Sequence, residues 1–81
     1  MERTMFIENT AGLHAKLAVR MIQVASKYPD KMTLYYNDKK VDLKSILGLM
    51  SLAVECGKEV TIEIEGPNAE QALEELREVL Q

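Results

Sequence analysis

The only histidine in the chain, His14, lies in the segment "NTAGLHAKLAVRMIQ", where a loop changes into a helical pattern. Histidine can act as a nucleophile that forms covalent intermediates. The first turn of a helix carries unpaired backbone N–H groups and a partial positive charge, and both stabilise a phosphate. A phosphoryl group on the His14 ring is therefore expected to accept hydrogen bonds from the N–H groups of Lys16 and Leu17. Lys16 adds a positive charge, and Arg20 adds another one turn later.

Other kinds of site at His14 are less favoured, although one simple alternative stays open. A lone polar residue near a helix start is more often only solvated, so the local pattern allows an ordinary surface histidine as well. A metal site is disfavoured because the chain has one histidine and one cysteine, Cys56. A hydrolase triad is disfavoured because no carboxylate has a spacing that suggests a partner.

A second candidate site begins at Ser45, which directly precedes the apolar run "ILGLMSLA". A serine in this position is typical of a helix N-cap, since its hydroxyl accepts a hydrogen bond from an unpaired backbone N–H. A phosphate at a helix start is also compatible with the fold, so Ser45 is either a cap alone or a phosphorylation site. The helix that follows is apolar nearly all round. Some of its apolar residues are therefore expected to form an exposed patch, or all of them pack inside: Ile46, Leu47, Leu49, Met50 and Leu52.

The elements that position these residues follow from hydrophobic periodicity. The predicted elements are a strand over 2–8, a helix over 15–28, a strand over 31–37, a strand over 40–42, a helix from 46, a strand over 59–65 and a helix from 69. Asn37 and Asp38 are predicted to form a hairpin turn. Asn68 is predicted to cap the last helix, with Gln71 completing a pair that resembles a capping box. The order βαββαβα predicts an α+β fold with helices on one face of a mostly antiparallel sheet.

Composition limits the class of protein. The 81 residues predict a single domain over 1–81, and no apolar run approaches the roughly 20 residues that a membrane helix needs. One cysteine allows no internal disulfide and favours the cytoplasm. The net charge is +3 over residues 1–54 and −6 over residues 55–81, so the first part can steer an acidic partner or an anionic ligand. Nucleic acid is disfavoured because there is no basic run and no aromatic platform.

Three segments together, "GLHAKLA", "KSILGLMSLA" and "CGKEVTIEIEG", resemble the histidine-containing phosphocarrier protein (HPr) family of the bacterial phosphotransferase system. The resemblance covers nearly the whole chain. It implies an open-faced β-sandwich, with a four-stranded antiparallel sheet and three helices on one face. It also implies that enzyme I passes phosphate from phosphoenolpyruvate to Nδ1 of His14, and that the phosphate then goes to IIA domains of sugar permeases. The chain would thus be a phosphotransfer protein with a phosphohistidine intermediate, without a cofactor, rather than a free-standing enzyme.

The resemblance also implies regulation and docking. Ser45 matches the target of an ATP-dependent HPr kinase/phosphorylase, whose product acts with a catabolite-control transcription factor in carbon catabolite repression. Leu17 and Arg20, together with Ile46, Leu47 and Met50, are expected to contact partner proteins. Protein–protein phosphotransfer needs only a transient interface, so a monomer is expected.

The chain departs from the family motif Gly-Leu-His-Ala-Arg-Pro-Ala at two positions next to the histidine. Lys16 keeps the positive charge but lacks the bidentate fork of arginine. Leu17 replaces a proline, and it either gives the phosphate one more N–H donor or makes the helix start less rigid. Ala53, where the family often has glycine, is interpreted as a packing difference. The sequence therefore predicts a phosphocarrier with an altered site; the alternative is a regulatory relative that acts through Ser45, with weak or no transfer at His14.

Overall fold

The computed structural model describes residues 1–81 and contains the four strands and three helices in the predicted order. The elements are β1 (Glu2–Phe6), α1 (Ala15–Ala25), β2 (Lys31–Tyr36), β3 (Lys39–Asp42), α2 (Ile46–Ser51), β4 (Glu59–Glu65) and α3 (Ala69–Leu80). α1 ends at Ala25, three residues before the predicted end at Tyr28, because the hydrogen-bond pattern changes from four-residue to three-residue spacing after Ser26. There, Lys27 and Tyr28 donate to carbonyls three residues back, at 3.2 and 3.1 Å. None of the helices is long and apolar enough to cross a membrane.

The four strands form one sheet in the order β1-β4-β2-β3, and every pair is antiparallel. Met5 lies opposite Val60, and Leu34 lies opposite both Ile62 and Val41, so apolar positions of neighbouring strands fall in register. Because side chains alternate along a strand, this register collects the apolar residues on one face of the sheet. Asn37 has a φ of 55°, as the predicted turn between β2 and β3 requires.

A single core of 21 buried residues lies between the sheet and the helices. The strands contribute the residues that alternate toward this face, namely Met5, Met32, Leu34, Val60, Ile62 and Ile64. The apolar stripes of all three helices supply residues to the same core. On the other face, the hydroxyls of Thr4 and Thr61 lie 3.2 Å apart and Tyr35 donates to Glu63 at 2.9 Å. The predicted α+β fold, with three helices on one face of a four-stranded antiparallel sheet, is therefore confirmed.

Asn68 does not cap α3 as predicted. It occupies the N-cap position, but its side chain makes no capping hydrogen bond. Its amide Nδ2 donates instead to Oδ1 of the buried Asp30 at 2.8 Å, and its backbone N–H donates to Oδ2 at 2.9 Å. The side-chain bond from Asn68 is the main reason that the pKa of Asp30 lies below its usual value. A charged acceptor from another segment thus takes the Asn68 N–H that Gln71 was predicted to accept, and the first-turn N–H groups of α3 have no side-chain cap.

Ala53 is more than a packing difference. It follows α2 with a φ of 50°, in the left-handed region that an L-residue enters at a cost of roughly 1–2 kcal/mol. Glycine adopts this conformation freely.

We expect Ala53→Gly to raise the free energy of unfolding by up to about 1 kcal/mol. Relief of the left-handed conformation outweighs the roughly 0.5–1 kcal/mol that glycine loses through its freer unfolded chain. The measurement is urea unfolding, with Ala11→Gly as the matched control. Ala11 is also an exposed loop alanine, but its φ is not positive, so its replacement is expected to lower stability. Equal losses in both variants would contradict the interpretation.

Candidate functional site

His14 is the N-cap of α1. Its backbone is extended, with φ −101° and ψ 175°, and the helix begins at Ala15. The side chain is partly exposed and makes no capping hydrogen bond. A residue in this position holds its side chain beside the first turn of the helix. The predicted placement of His14 directly before a helix start is therefore confirmed.

Three backbone N–H groups at the start of α1 have no partner in the chain. The first hydrogen bond of the helix runs from the Ala18 N–H to the His14 carbonyl, at 2.9 Å. The N–H groups of Ala15, Lys16 and Leu17 precede it and donate to no backbone or side-chain acceptor. Unpaired N–H groups and the helix dipole together favour an anion at this place. The structure thus combines a nucleophilic ring with donors suited to a phosphate.

The loop before His14 is held by a close contact with the segment after α2. The Leu13 N–H donates to the Val54 carbonyl at 2.8 Å. Gly12 has a φ of 71°, and a Cβ atom added there would lie 2.5 Å from the same carbonyl oxygen. Asn9 closes the turn, since its Oδ1 accepts from the Ala11 N–H and its carbonyl accepts from the Gly12 N–H, both at 2.9 Å. These contacts determine where His14 lies.

Sequence reasoning did not identify Asn9, Gly12 and Val54 as residues that position the site. The signal for the first two was present, because asparagine often bonds the backbone two residues on and glycine permits a positive φ. The role of Val54 carried no local signal, since it depends on a contact between segments about 40 residues apart in the sequence.

Two cations lie on α1 near its start. Lys16 and Arg20 are both exposed, and neither takes part in the ion pairs of the chain, which involve Arg3, Lys27, Lys31 and Arg77. A cation without an internal partner keeps its charge available to a bound anion or to a second protein. This arrangement is consistent with the predicted contact of Lys16 with phosphate and of Arg20 with partner proteins, and both roles stay predictions.

The prediction that Leu17 contacts partner proteins is wrong for its side chain. Leu17 is 1% exposed and belongs to the core, as its place on the apolar stripe of α1 requires. Only its backbone N–H faces the helix start. Val19, which lies off that stripe, is the exposed large apolar residue of α1, and sequence reasoning did not name it.

Ser45 is the N-cap of α2, as predicted. The Gly48 N–H donates to Ser45 Oγ at 3.0 Å. A Cβ atom at Gly48 would lie 3.1 Å from Val41 Cβ and 3.3 Å from Ser45 Oγ, so glycine here lets the helix approach β3 closely. The hydroxyl of Ser45 is thus engaged by the helix, although the residue is partly exposed.

The helix after Ser45 presents an apolar surface. Leu47 is 80% exposed, while Ile46 and Met50 are 38% and 37% exposed. We call these three residues the α2 patch. Leu49 and Leu52 on the same segment are buried, so the structure divides the apolar run between surface and core. An exposed apolar patch on so small a protein is typical of an interaction site.

The α2 patch lies close to the loop that holds His14. α2 has six residues and is therefore about 9 Å long. It leads through Leu52 and Ala53 to Val54, whose carbonyl accepts from the residue before His14. α1 and α2 also pack against each other. One partner surface can therefore cover the patch and the helix start together.

Comparison with known proteins shows a match over the whole chain. A family model described as "PTS HPr component phosphorylation site" matches residues 1–81. HPr-C-His from Thermoanaerobacter tengcongensis is 39% identical with a TM-score of 0.93, over 99% of this chain and 90% of that chain. The phosphocarrier protein HPr from Bacillus anthracis is 34% identical, also with a TM-score of 0.93, over 100% of this chain and 96% of that chain.

A regulatory protein is also similar. The catabolite-repression protein Crh of Bacillus subtilis is 41% identical with a TM-score of 0.79, over 90% of this chain and 84% of that chain. Its crystal structure is a dimer with a swapped domain, which does not fit the expectation of a monomer for this chain. The similarity therefore extends both to phosphocarriers and to a protein of catabolite repression.

We expect Gly12→Ala to destabilise the protein more than Gly57→Ala. Both glycines have a positive φ, but a Cβ atom at Gly57 meets nothing within 4 Å, so its replacement measures backbone strain of roughly 1–2 kcal/mol alone. The clash of Gly12 with Val54 adds about 1–3 kcal/mol. Urea unfolding gives both values, and faster hydrogen exchange at the Leu13 amide reports the displaced loop. Equal losses of unfolding free energy in the two variants would show that the close approach of Gly12 to Val54 adds nothing to the cost of a side chain there.

Proposed function

The chain belongs to the HPr family of the phosphotransferase system, and within this family we propose that it is a working phosphocarrier with His14 as its phosphoacceptor. The observation that carries the proposal is the position of His14 as N-cap of a helix whose first three N–H groups are unpaired. A phosphoryl group on the ring would meet donors that are already in place. Such preorganised donors stabilise charge without the cost of reorganising them during transfer.

The transfer has two symmetrical steps. A ring nitrogen of His14 attacks the phosphorus carried by enzyme I, the new N–P bond forms, and the bond to enzyme I breaks with its electron pair leaving on enzyme I. An IIA domain then attacks the same phosphorus, and the electron pair of the N–P bond returns to the ring. The transition state of such a transfer is loose, with charge spread over the phosphoryl oxygens. The N–H groups of Lys16 and Leu17 and the ammonium group of Lys16 are placed to hold the phosphoryl oxygens on His14 between the two steps.

Enzyme I and the IIA domains are proposed to dock on the α2 patch and on the exposed face of α1. Apolar area comes from Leu47, Ile46 and Met50, with Val19 as an addition from α1. Lys16 and Arg20 lie in the first two turns of α1 and form no ion pair within the chain. Their free positive charges favour a docking protein with an acidic surface. Transient complexes of this kind need only a small interface.

A regulatory protein that acts through Ser45 is the second candidate. Its support is the similarity to Crh and the loss of the Arg-Pro pair beside His14. A phosphoryl group on Ser45 would place negative charge at the start of α2, next to Ile46 and Leu47, where it changes the character of the α2 patch. The partners would then be an HPr kinase/phosphorylase and a catabolite-control transcription factor.

Intact-mass analysis after mixing with enzyme I and phosphoenolpyruvate tests the first candidate. The parent protein is expected to gain one phosphoryl group that acid removes, and His14→Ala is expected to gain none. Lys16→Gln is the matched control, because it keeps the acceptor and removes one charge, so it should still gain the group but more slowly.

Two results would contradict the assignment. His14→Ala that still gains an acid-labile group would place the acceptor elsewhere. A parent that gains nothing, with enzyme I shown to be active on the Bacillus anthracis HPr, would make the regulatory candidate the better one.

Incubation with an HPr kinase/phosphorylase and ATP tests the second site. We expect the parent to gain an acid-stable phosphoryl group and Ser45→Ala to gain none. Ser51→Ala is the matched control, since Ser51 lies on the same helix, is exposed, and donates to the Gly48 carbonyl at 2.7 Å. Loss of the cap costs about 1 kcal/mol, so thermal unfolding must show that Ser45→Ala is folded. Equal phosphorylation of Ser45→Ala and the parent would remove Ser45 as the target.

A further inference from the structure

We infer that the backbone N–H of Leu17 is an additional hydrogen-bond donor to the phosphoryl group on His14, and that it lengthens the lifetime of that group. The inference rests on the proposed function, because it takes His14 as the phosphoacceptor. It concerns a position where the family motif has proline, which carries no N–H and so offers no donor.

The position of Leu17 in the first turn makes its N–H a suitable donor. With His14 as the N-cap, Lys16 and Leu17 are the second and third residues of the helix. The side chain of an N-cap residue characteristically accepts from the N–H of one of these two residues. The same chain shows this contact at α2, where Ser45 Oγ accepts from the N–H of the third helical residue, Gly48, at 3.0 Å. The equivalent N–H in α1 belongs to Leu17 and has no partner.

The Leu17 N–H is also held in place. Its side chain is 1% exposed within the core, so the first turn of α1 is anchored there instead of fraying. On the other side, the Ala18 N–H is already bonded to the His14 carbonyl at 2.9 Å. Leu17 therefore carries the last free N–H of the turn. Leu17 therefore does not make the helix start less rigid than proline would, because its buried side chain holds the first turn by packing.

The extra donor offsets the exchange of arginine for lysine at position 16. Arginine presents two parallel N–H groups to a phosphate, whereas lysine offers a point charge. The chain thus has one side-chain fork fewer than the family motif and one backbone donor more. Compared with the family motif, this chain therefore relies less on a mobile side chain and more on fixed backbone N–H groups to bind the phosphoryl group.

A backbone donor at this place slows loss of the phosphoryl group. On hydrolysis the N–P bond breaks and its electron pair goes to the ring nitrogen, which takes one proton from the attacking water. The water oxygen, with its other proton, bonds to phosphorus and completes inorganic phosphate. The bound group carries up to two negative charges, but it approaches the single charge of metaphosphate in the loose transition state. A donor therefore stabilises the bound group more than the transition state.

The experiment compares Leu17→Pro with Leu17→Ala. Both shorten the buried side chain, but only proline removes the N–H. Each protein is loaded with enzyme I and phosphoenolpyruvate, separated from both, and followed by intact mass at neutral pH. Leu17→Pro is expected to lose the group about threefold to tenfold faster than Leu17→Ala, since a hydrogen bond to a charged group supplies about one tenfold step. Equal lifetimes would overturn the inference.

A measurement on the parent protein avoids any effect of the variants on folding. Amide hydrogen exchange is followed by NMR before and after loading with phosphate. The Leu17 N–H is expected to exchange more slowly and to shift downfield in the loaded form, while the Ala18 N–H, already bonded, serves as the reference. An unchanged exchange rate at Leu17 in loaded protein would overturn the inference and leave the proposed function intact. A parent that accepts no phosphate would overturn both.

Discussion

The hydrogen bond from the Leu13 N–H to the Val54 carbonyl joins the two parts of the site, and the close approach of Gly12 to that carbonyl allows it. Leu13 is buried and directly precedes His14, so this contact sets where α1 begins. Val54 follows α2, so the same contact brings the end of α2 to the loop. Any side chain at position 12 would separate them. The candidate phosphoacceptor and the α2 patch are neighbours for this reason.

The three helices differ at their starts. Ser45 accepts an N–H of its own helix, α2. At α3 the carboxylate of Asp30 accepts from Asn68, and this bond lowers the pKa of Asp30. α1 and α3 both begin with a residue whose side chain makes no cap and with three unpaired N–H groups, those of residues 15–17 and 69–71. Unpaired donors at a helix start are a cost to folding that an anion can offset. The start of α1 suits an anion better than that of α3, because its first turn carries Lys16 and no acidic residue, whereas the first turn of α3 carries Glu70.

The residues beside His14 divide their tasks between side chain and backbone. Lys16 brings a charge that no carboxylate of the chain neutralises. Leu17 anchors the helix through its buried side chain and presents its N–H at the surface. A leucine in place of proline therefore changes how the helix start is held without loosening it. The same division explains why Leu17 contributes nothing apolar to a partner surface, which comes instead from Leu47 and its neighbours.

The sequence by itself determined the order of the elements, the alternation of the strands, the cap at Ser45 and the place of His14 before a helix. Each of these depends on residues within about four positions of one another, which is the range over which helix and strand periods and caps act. The tertiary structure decided which apolar residues of α2 are exposed, that Asp30 rather than Gln71 accepts the Asn68 N–H, and that Ala53 adopts a left-handed conformation. Those features arise where segments far apart in the chain meet, and a local pattern does not record which segments will meet.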